Sequence, residues 1–226
     1  MPAPRGVIRR HQILTDETYD AIMSLLMSYQ IRPGERINID ALSRQLGVSV
    51  TPVRETLARL ESEALVTKQP LVGYTATPLL TLEQLSDMYE VRLALEPLAA
   101  RQAALRSTQQ QVDEIAATLA GRRGSGTASS ADEHLLVALE DERFHAAIGR
   151  ATQNDFLRDA VERLHSHLHL YRLYQNASVG QEATLEEHES IVDALGRRDS
   201  HAAEQAMRAH LEASRGRLID IVRGSS

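Results

Sequence analysis

The 226-residue chain has no cysteine, which excludes disulfides, thiolate zinc sites and cysteine nucleophiles together. No apolar run approaches the roughly 20 residues that a membrane span needs. The opening "MPAPRGVIRRHQ" is basic with no apolar stretch behind it, so no signal peptide is expected either. Neither an HExxH nor a GxSxG motif occurs, and internal repeats and long low-complexity regions are missing. A net charge of −6 argues against a protein that simply coats nucleic acid. What is present, 42% hydrophobic and 25% charged residues, suits a cytoplasmic protein of one large or two modest domains with a real core.

The charge is uneven. Residues 1–77 hold 9 Lys+Arg against 8 Asp+Glu, whereas the rest holds 16 against 23, so a near-neutral head precedes an acidic body. Such a head permits a local DNA-binding surface without proving one. The histidines divide more sharply: of nine, only His11 lies in the head.

Along the head, Tyr19, Ile22, Met23, Leu26 and Met27 recur at helical spacing, and "RPGERI" supplies a stop and a turn. A short helix follows in "NIDALSRQLG", with Gly47 as its C-terminal stop. "VSVTPVRETLARLESEAL" opens with Ser/Thr caps and Pro52 near the first turn, and Val53, Leu57, Leu60 and Leu65 form an inward stripe. "VTKQPLVGYTAT" reads as two short strands around a turn with Pro70 and Gly73. "TATPLLT" around Pro78 is the natural boundary, giving domains 1–77 and 78–226. Beyond it six helices are expected, over 82–106, 108–121, 131–151, 154–174, 182–197 and 199–222. A flexible Gly/Ser-rich stretch, "GRRGSGTASSAD", separates the second from the third. The fold class is mainly α: a winged helix-turn-helix with a small β-hairpin, then an all-helical bundle.

In a winged helix-turn-helix the second helix enters the major groove and the hairpin contacts the backbone or minor groove. Ser49, Thr51 and Arg54 sit at the start of that helix, where side chains reach base edges or phosphates. Arg44, Arg59 and Lys68 are candidate phosphate contacts, with Gly73 in the wing. On spacing alone, a solvated surface accounts for these residues equally well. The order of "PGE", "LSRQLGVS", "TPVRETLARLE" and "P..GY" over about seventy residues resembles the N-terminal domain of the GntR family of bacterial transcription regulators. That resemblance implies binding to double-stranded operator DNA in a bacterial nucleoid. Two positions depart from it: Val50 stands where the family commonly has a basic residue, and Val72 where Arg often precedes the wing glycine. An altered operator or weaker binding is the expectation.

In the body, "DERFH" places Asp141 and His145 four residues apart, on or beside the apolar face marked by Val137, Phe144 and Ile148. His188 continues the stripe of Ile191, Val192 and Leu195, and His210 that of Ala203, Ala206 and Met207. A lone histidine on such a face is usually a core residue with one hydrogen bond. An inward Asp with three inward His suggests more, because a divalent cation offsets the carboxylate and orients the imidazoles. One oxygen and three imidazole nitrogens suit Zn²⁺, Ni²⁺, Mn²⁺ or a similar divalent transition metal. An octahedral ion would keep two positions for water or an effector. His165, His167 and His169 cannot all bind one ion; His134 and His201 read as solvated, and Asn154 as a helix cap.

"YEVRLALEPLAARQAA", "DERFHAAIGRATQN", "EEHESIVDAL" and "AEQAMRAHLEASR" resemble the FCD domain, the helical effector-binding module of the FadR branch of GntR regulators. By that resemblance the metal ligands fall on Asp141, His145, His188 and His210. Six body helices are more like the VanR subgroup. Arg92, on the side of Leu85, Met88 and Leu95, needs an anionic partner, either an internal Glu or a carboxylate effector. The resemblance favours the effector, with Arg172 as a second candidate. The reading is a homodimeric DNA-binding regulator, a repressor, controlled by a small organic acid at a metal site, and not an enzyme. Two alternatives stay open: a regulator whose body only dimerises around a metal-free polar cluster, and a metal-dependent enzyme.

Overall fold

A computed structural model describes residues 5–120, 131–164, 169–170, 172 and 181–224. It divides into two compact units, residues 1–79 and 80–226. The first holds α1 (Arg5–Met27), β1 (Arg36–Ile37), α2 (Ile39–Leu46), α3 (Val50–Ser62), β2 (Val66–Gln69) and β3 (Gly73–Ala76). The second holds α4 (Leu82–Arg106), α5 (Gln109–Ala117), α6 (Ala131–Ala151), α7 (Asp155–Glu162), α8 (Gln181–Gly196) and α9 (Ser200–Gly224). No helix among the described residues is long and apolar enough to cross a membrane.

In the first unit, α1 packs on α3 through an apolar centre of Ile22, Leu26, Val53, Leu57 and Leu60. Asn38 caps α2 by accepting from the Ala41 N–H. Gly47 ends that helix at φ +67°, a left-handed conformation that glycine adopts without Cβ strain. The expected hairpin is present, but the sheet has three antiparallel strands in the order β1-β3-β2. Arg36 faces Thr75 and Ile37 faces Tyr74. Strand β1 was not expected, because two residues carry no alternation for a local pattern to detect; long-range pairing with β3 makes the strand.

In the second unit, α4 and α9 pack along their length and α8 joins them, burying Leu85, Tyr89, Ala99, Ala103, Ile191, Leu195, Met207 and Leu211. Capping boxes start two helices: Thr81 with Gln84 on α4, and Thr108 with Gln111 on α5. Asn154 caps α7 through the Leu157 N–H. The single helix expected over 154–174 is corrected: α7 stops at Glu162, where the Leu164 N–H closes a tight bond to the Val161 carbonyl. His169, Leu170 and Arg172 are helical again. Most of the Gly/Ser-rich stretch, 121–130, lies outside the described residues, as do His165, His167 and the side chain of His134.

Because Leu57 is fully enclosed between α1 and α3, Leu57→Ala is expected to destabilise the first unit by about 2–5 kcal/mol. Urea unfolding of the full chain checks this; a loss below about 1 kcal/mol would mean that α3 is not the keystone of that core.

Candidate functional site

Three helices converge on four polar side chains. Asp141 and His145 come from successive turns of α6, His188 from α8 and His210 from α9. One ligand-type atom from each lies within 4.8 Å of all the others. The three imidazoles are buried and Asp141 is partly so. His188 Nε2 stands 3.4 Å from His210 Nε2 and 3.6 Å from Asp141 Oδ1. His145 Nε2 is 3.9 Å from Asp141 Oδ2. Phe144 stacks on the His188 ring at 4.0 Å between centroids and 16° between planes, fixing that ring against the core.

Two imidazoles are also held from behind. His210 Nδ1 lies 2.8 Å from Glu187 Oε2, and Glu187 accepts from Arg217 Nη1 at 2.7 Å and Nη2 at 2.9 Å. His145 Nδ1 lies 2.6 Å from Glu96 Oε2, and Glu96 accepts from Arg92 Nε at 2.5 Å and Nη2 at 3.3 Å. Each chain therefore runs arginine, glutamate, histidine. Burial alone would raise the Glu96 pKa, but Arg92 and His145 reverse this and hold the carboxyl well below the usual carboxylate range. Burial likewise opposes the charge on Glu187, and Arg217 with His210 brings its pKa down to about 2. Burial pushes the His210 pKa down, with the Glu187 hydrogen bond offsetting only part, so the neutral ring is favoured.

An ionised glutamate only accepts, so Nδ1 carries the proton on the neutral His210 ring, and its Nε2 keeps a lone pair directed at the cluster. Both ring nitrogens of His145 are buried and neither makes a well-aligned hydrogen bond among the described residues, although Nδ1 lies against the Glu96 carboxylate. An uncompensated buried acceptor costs roughly 1–3 kcal/mol. A cation among these atoms would remove that cost, so the donor set fits a divalent transition metal.

Arg92 is buried, and it has the internal Glu96 as partner; burial works against its charge, but Glu96 raises its pKa overall. Its guanidinium also lies 5.1 Å from the ring centroid of Tyr89, whose hydroxyl meets Ser214 Oγ at 2.7 Å. Arg172 is buried. His169 is half-buried, and His201 is exposed beside Gln205. Glu96, Glu187 and Arg217 escaped the sequence reading. The i,i+4 spacing of Arg92 and Glu96 was a usable signal; nothing local ties Glu187 to Arg217, thirty positions apart on another helix.

On the first unit, Arg44, Ser49, Thr51, Arg54 and Lys68 are exposed. Ser49 is the N-cap residue of α3 yet its side chain makes no capping hydrogen bond, and Thr51 and Arg54 share the first turn and a half. Arg59 is engaged internally: its guanidinium sits 3.6 Å over the Tyr19 ring, with Glu63 at 3.3 Å and Asp16 at 3.7 Å, which ties α3 to α1. Gly73 opens β3 at φ +97°. The wing tip before it is apolar, with Leu71 fully exposed and Val72 partly so.

Comparison with known proteins follows the same division. Residues 14–75 match the family described as bacterial regulatory proteins, gntR family, and residues 87–213 match the FCD domain. The Nta operon transcriptional regulator of Aminobacter aminovorans is 32% identical over 89% of this chain and 92% of its own length. The HTH-type transcriptional repressor RspR of Escherichia coli is 25% identical over 89% of this chain and 87% of its own. Among solved structures, E. coli McbR/YncC superposes with a TM-score of 0.70 at 23% identity, covering 92% of this chain and 97% of that one. A GntR regulator from Rhodococcus sp. RHA1 also gives 0.70, at 20% identity over 91% and 97%. These two show the shared fold. The winged helix at one end, the helical module at the other and the relatives that match both make this chain a member of the GntR family of DNA-binding transcriptional regulators, of the type that carries an FCD domain.

Proposed function

We propose that this regulator is a homodimeric, cytoplasmic repressor whose operator binding is controlled by a small carboxylate bound at a metal ion in the FCD domain. The observation that carries this reading is the convergence of Asp141, His145, His188 and His210, whose ligand atoms all lie within 4.8 Å of one another. A bound ion would supply Lewis acidity and open positions for an effector's oxygens. The two arginines and three carboxylates of the cluster sum to one negative charge. A divalent ion reverses that to one positive charge, which favours an anionic effector. Arg92 is the arginine assigned to the effector's side, sharing its charge with Glu96; Arg172 is the second candidate.

A metal-free reading has one observation in its favour. The 3.4 Å approach of His188 to His210, with Asp141 beside both His188 and His145, is also what a polar cluster would adopt. Elemental analysis of protein purified without a nickel column separates the two. About one transition-metal ion per chain is expected, and its absence would sink the metal-dependent reading. A thermal-shift screen of sugar acids, hydroxy acids and dicarboxylates, with and without chelator, then tests the effector class. A true effector raises the midpoint only in the metal-loaded protein.

For the operator, Ser49, Thr51 and Arg54 are assigned to the major groove, Arg44 and Lys68 to phosphates, and Gly73 to the approach of the wing. Arg59 is assigned chiefly to holding α3 on α1. Arg54→Ala is expected to weaken specific binding by about 5- to 150-fold, the equivalent of roughly 1–3 kcal/mol. With Val50 and Val72 in place of two basic residues, mobility-shift titration on the family's usual palindrome is expected to show weaker binding than for the Val50→Arg, Val72→Arg variant. Tight, sequence-specific binding by the native chain would contradict this.

The two relays give a separate expectation. Glu187→Ala leaves all four ligands but frees the His210 tautomer, so metal affinity is expected to fall about 10- to 100-fold. Competition with a fluorescent chelator measures it, and unchanged affinity would show that Glu187 does not orient the imidazole.

A further inference from the structure

Leu71 is fully exposed, and its backbone φ is +64°. Each feature alone is unfavourable for a leucine, and packing offsets neither, because the side chain buries nothing. The Val72 N–H donates to the Gln69 carbonyl at 3.2 Å, closing a four-residue turn with Pro70 second and Leu71 third. A proline followed by a positive φ is the pattern of a type II turn, whose third position suits glycine or asparagine. A residue with a branched, bulky side chain is strained there. The other non-glycine residues with positive φ, Tyr29, Ala64, Gln153 and Arg198, each follow the end of a helix, where one left-handed residue is a common stop. Leu71 instead stands at the tip of the β2–β3 hairpin.

The chemistry around the tip suits a groove in a polyanion. Pro70, Leu71 and Val72 are all exposed, so the turn presents a continuous apolar end. From Val66 to Leu80 the sole charged residue is Lys68. Lys68 lies opposite Tyr74 in the strand ladder, and its ammonium stands 5.7 Å from that ring, which holds the cation to the side of the hairpin behind the tip. An apolar end with one cation behind it and no carboxylate fits a groove with phosphate walls and an uncharged floor. In DNA the minor groove is such a site, and proteins enter it with aliphatic side chains. At an A·T pair its floor shows acceptors only, and the C2–H edge of adenine leaves room for a side chain. At a G·C pair the guanine 2-amino donor occupies that room. Leucine cannot accept a hydrogen bond, so it both collides with that group and strips its water.

We propose that Leu71 is a specificity-determining residue that reads the minor groove by apolar contact, selecting A·T pairs and rejecting guanine where the wing lands. Glycine at position 71 would suit the turn better and offer the groove nothing. With leucine and valine at positions 71 and 72, the tip discriminates by shape and not by neutralising phosphate. This inference rests on the operator reading above and adds which groove edge the wing reads and by what contact.

The test uses the full-length chain and a duplex that the native chain enriches from a randomised pool. Each A·T pair of that duplex is replaced in turn by G·C and by inosine·C, which keeps the major-groove edge of G·C but lacks the 2-amino group. At the wing position G·C is expected to weaken binding about 5-fold or more, whereas inosine·C binds like A·T. Leu71→Gly is expected to weaken binding to the enriched duplex by a similar factor and to abolish that discrimination, with an unfolding midpoint equal to or above the native one. Its salt slope should be unchanged, whereas Lys68→Ala lowers the slope by about one per chain. Native affinity and preference in Leu71→Gly would overturn the proposal. So would weaker binding together with a lowered midpoint, which would make Leu71 a structural residue. Equal rejection of G·C and inosine·C at every position would place the readout in the major groove and overturn it as well. If Arg54→Ala weakens binding and Leu71→Gly does not, the reading of α3 stands and only the wing inference falls; if the native chain enriches no sequence, both fall.

Discussion

The body of this protein is organised around a pair of ionic chains, the buried Arg92–Glu96–His145 and the partly buried Arg217–Glu187–His210. Charges inside a helical core are costly unless each is met by an opposite charge and by hydrogen bonds. Here the arginines neutralise the glutamates, Glu187 fixes the proton on the far nitrogen of His210, and Glu96 stands against the same nitrogen of His145. What reaches the centre is a set of oriented lone pairs beside the Asp141 carboxylate. The helix packing serves this arrangement: α4, α6, α8 and α9 each contribute a member, so the cluster exists only when all four are docked.

The proposed effector control would act through that dependence. A ligand shifts an equilibrium between two arrangements only by its differential affinity for them. A site built from several helices responds to small changes in their packing, whereas a site on one helix would not. An effector that competes with Glu96 for Arg92 would act on α4, the helix that packs along α9 and touches α6 and α8.

Much of this was legible in the sequence, and the exceptions share a cause. Helices α4 and α6 have the expected bounds because capping residues and long apolar stripes are local signals. Asp141, His145, His188 and His210 could each be placed on an inward face for the same reason. Strand β1, the Glu187–Arg217 pair and the engagement of Arg59 with Tyr19 all depend on partners distant in the chain. Glu187 was hidden further by its position beside His188: one residue along a helix turns the side chain by about 100°, away from the stripe that marks the core. The break after Glu162 had no glycine or proline to announce it.

The central claim is that Asp141 and three Nε2 atoms share one ion. X-ray absorption at the metal edge, on protein loaded with one equivalent of Zn²⁺ or Ni²⁺, tests it most directly. The account predicts a first shell of nitrogen and oxygen near 2.0–2.2 Å, with the outer-shell scattering of three imidazoles that is lost in a His188→Ala, His210→Ala variant. A spectrum without imidazole scattering, or one unchanged by those substitutions, would contradict it.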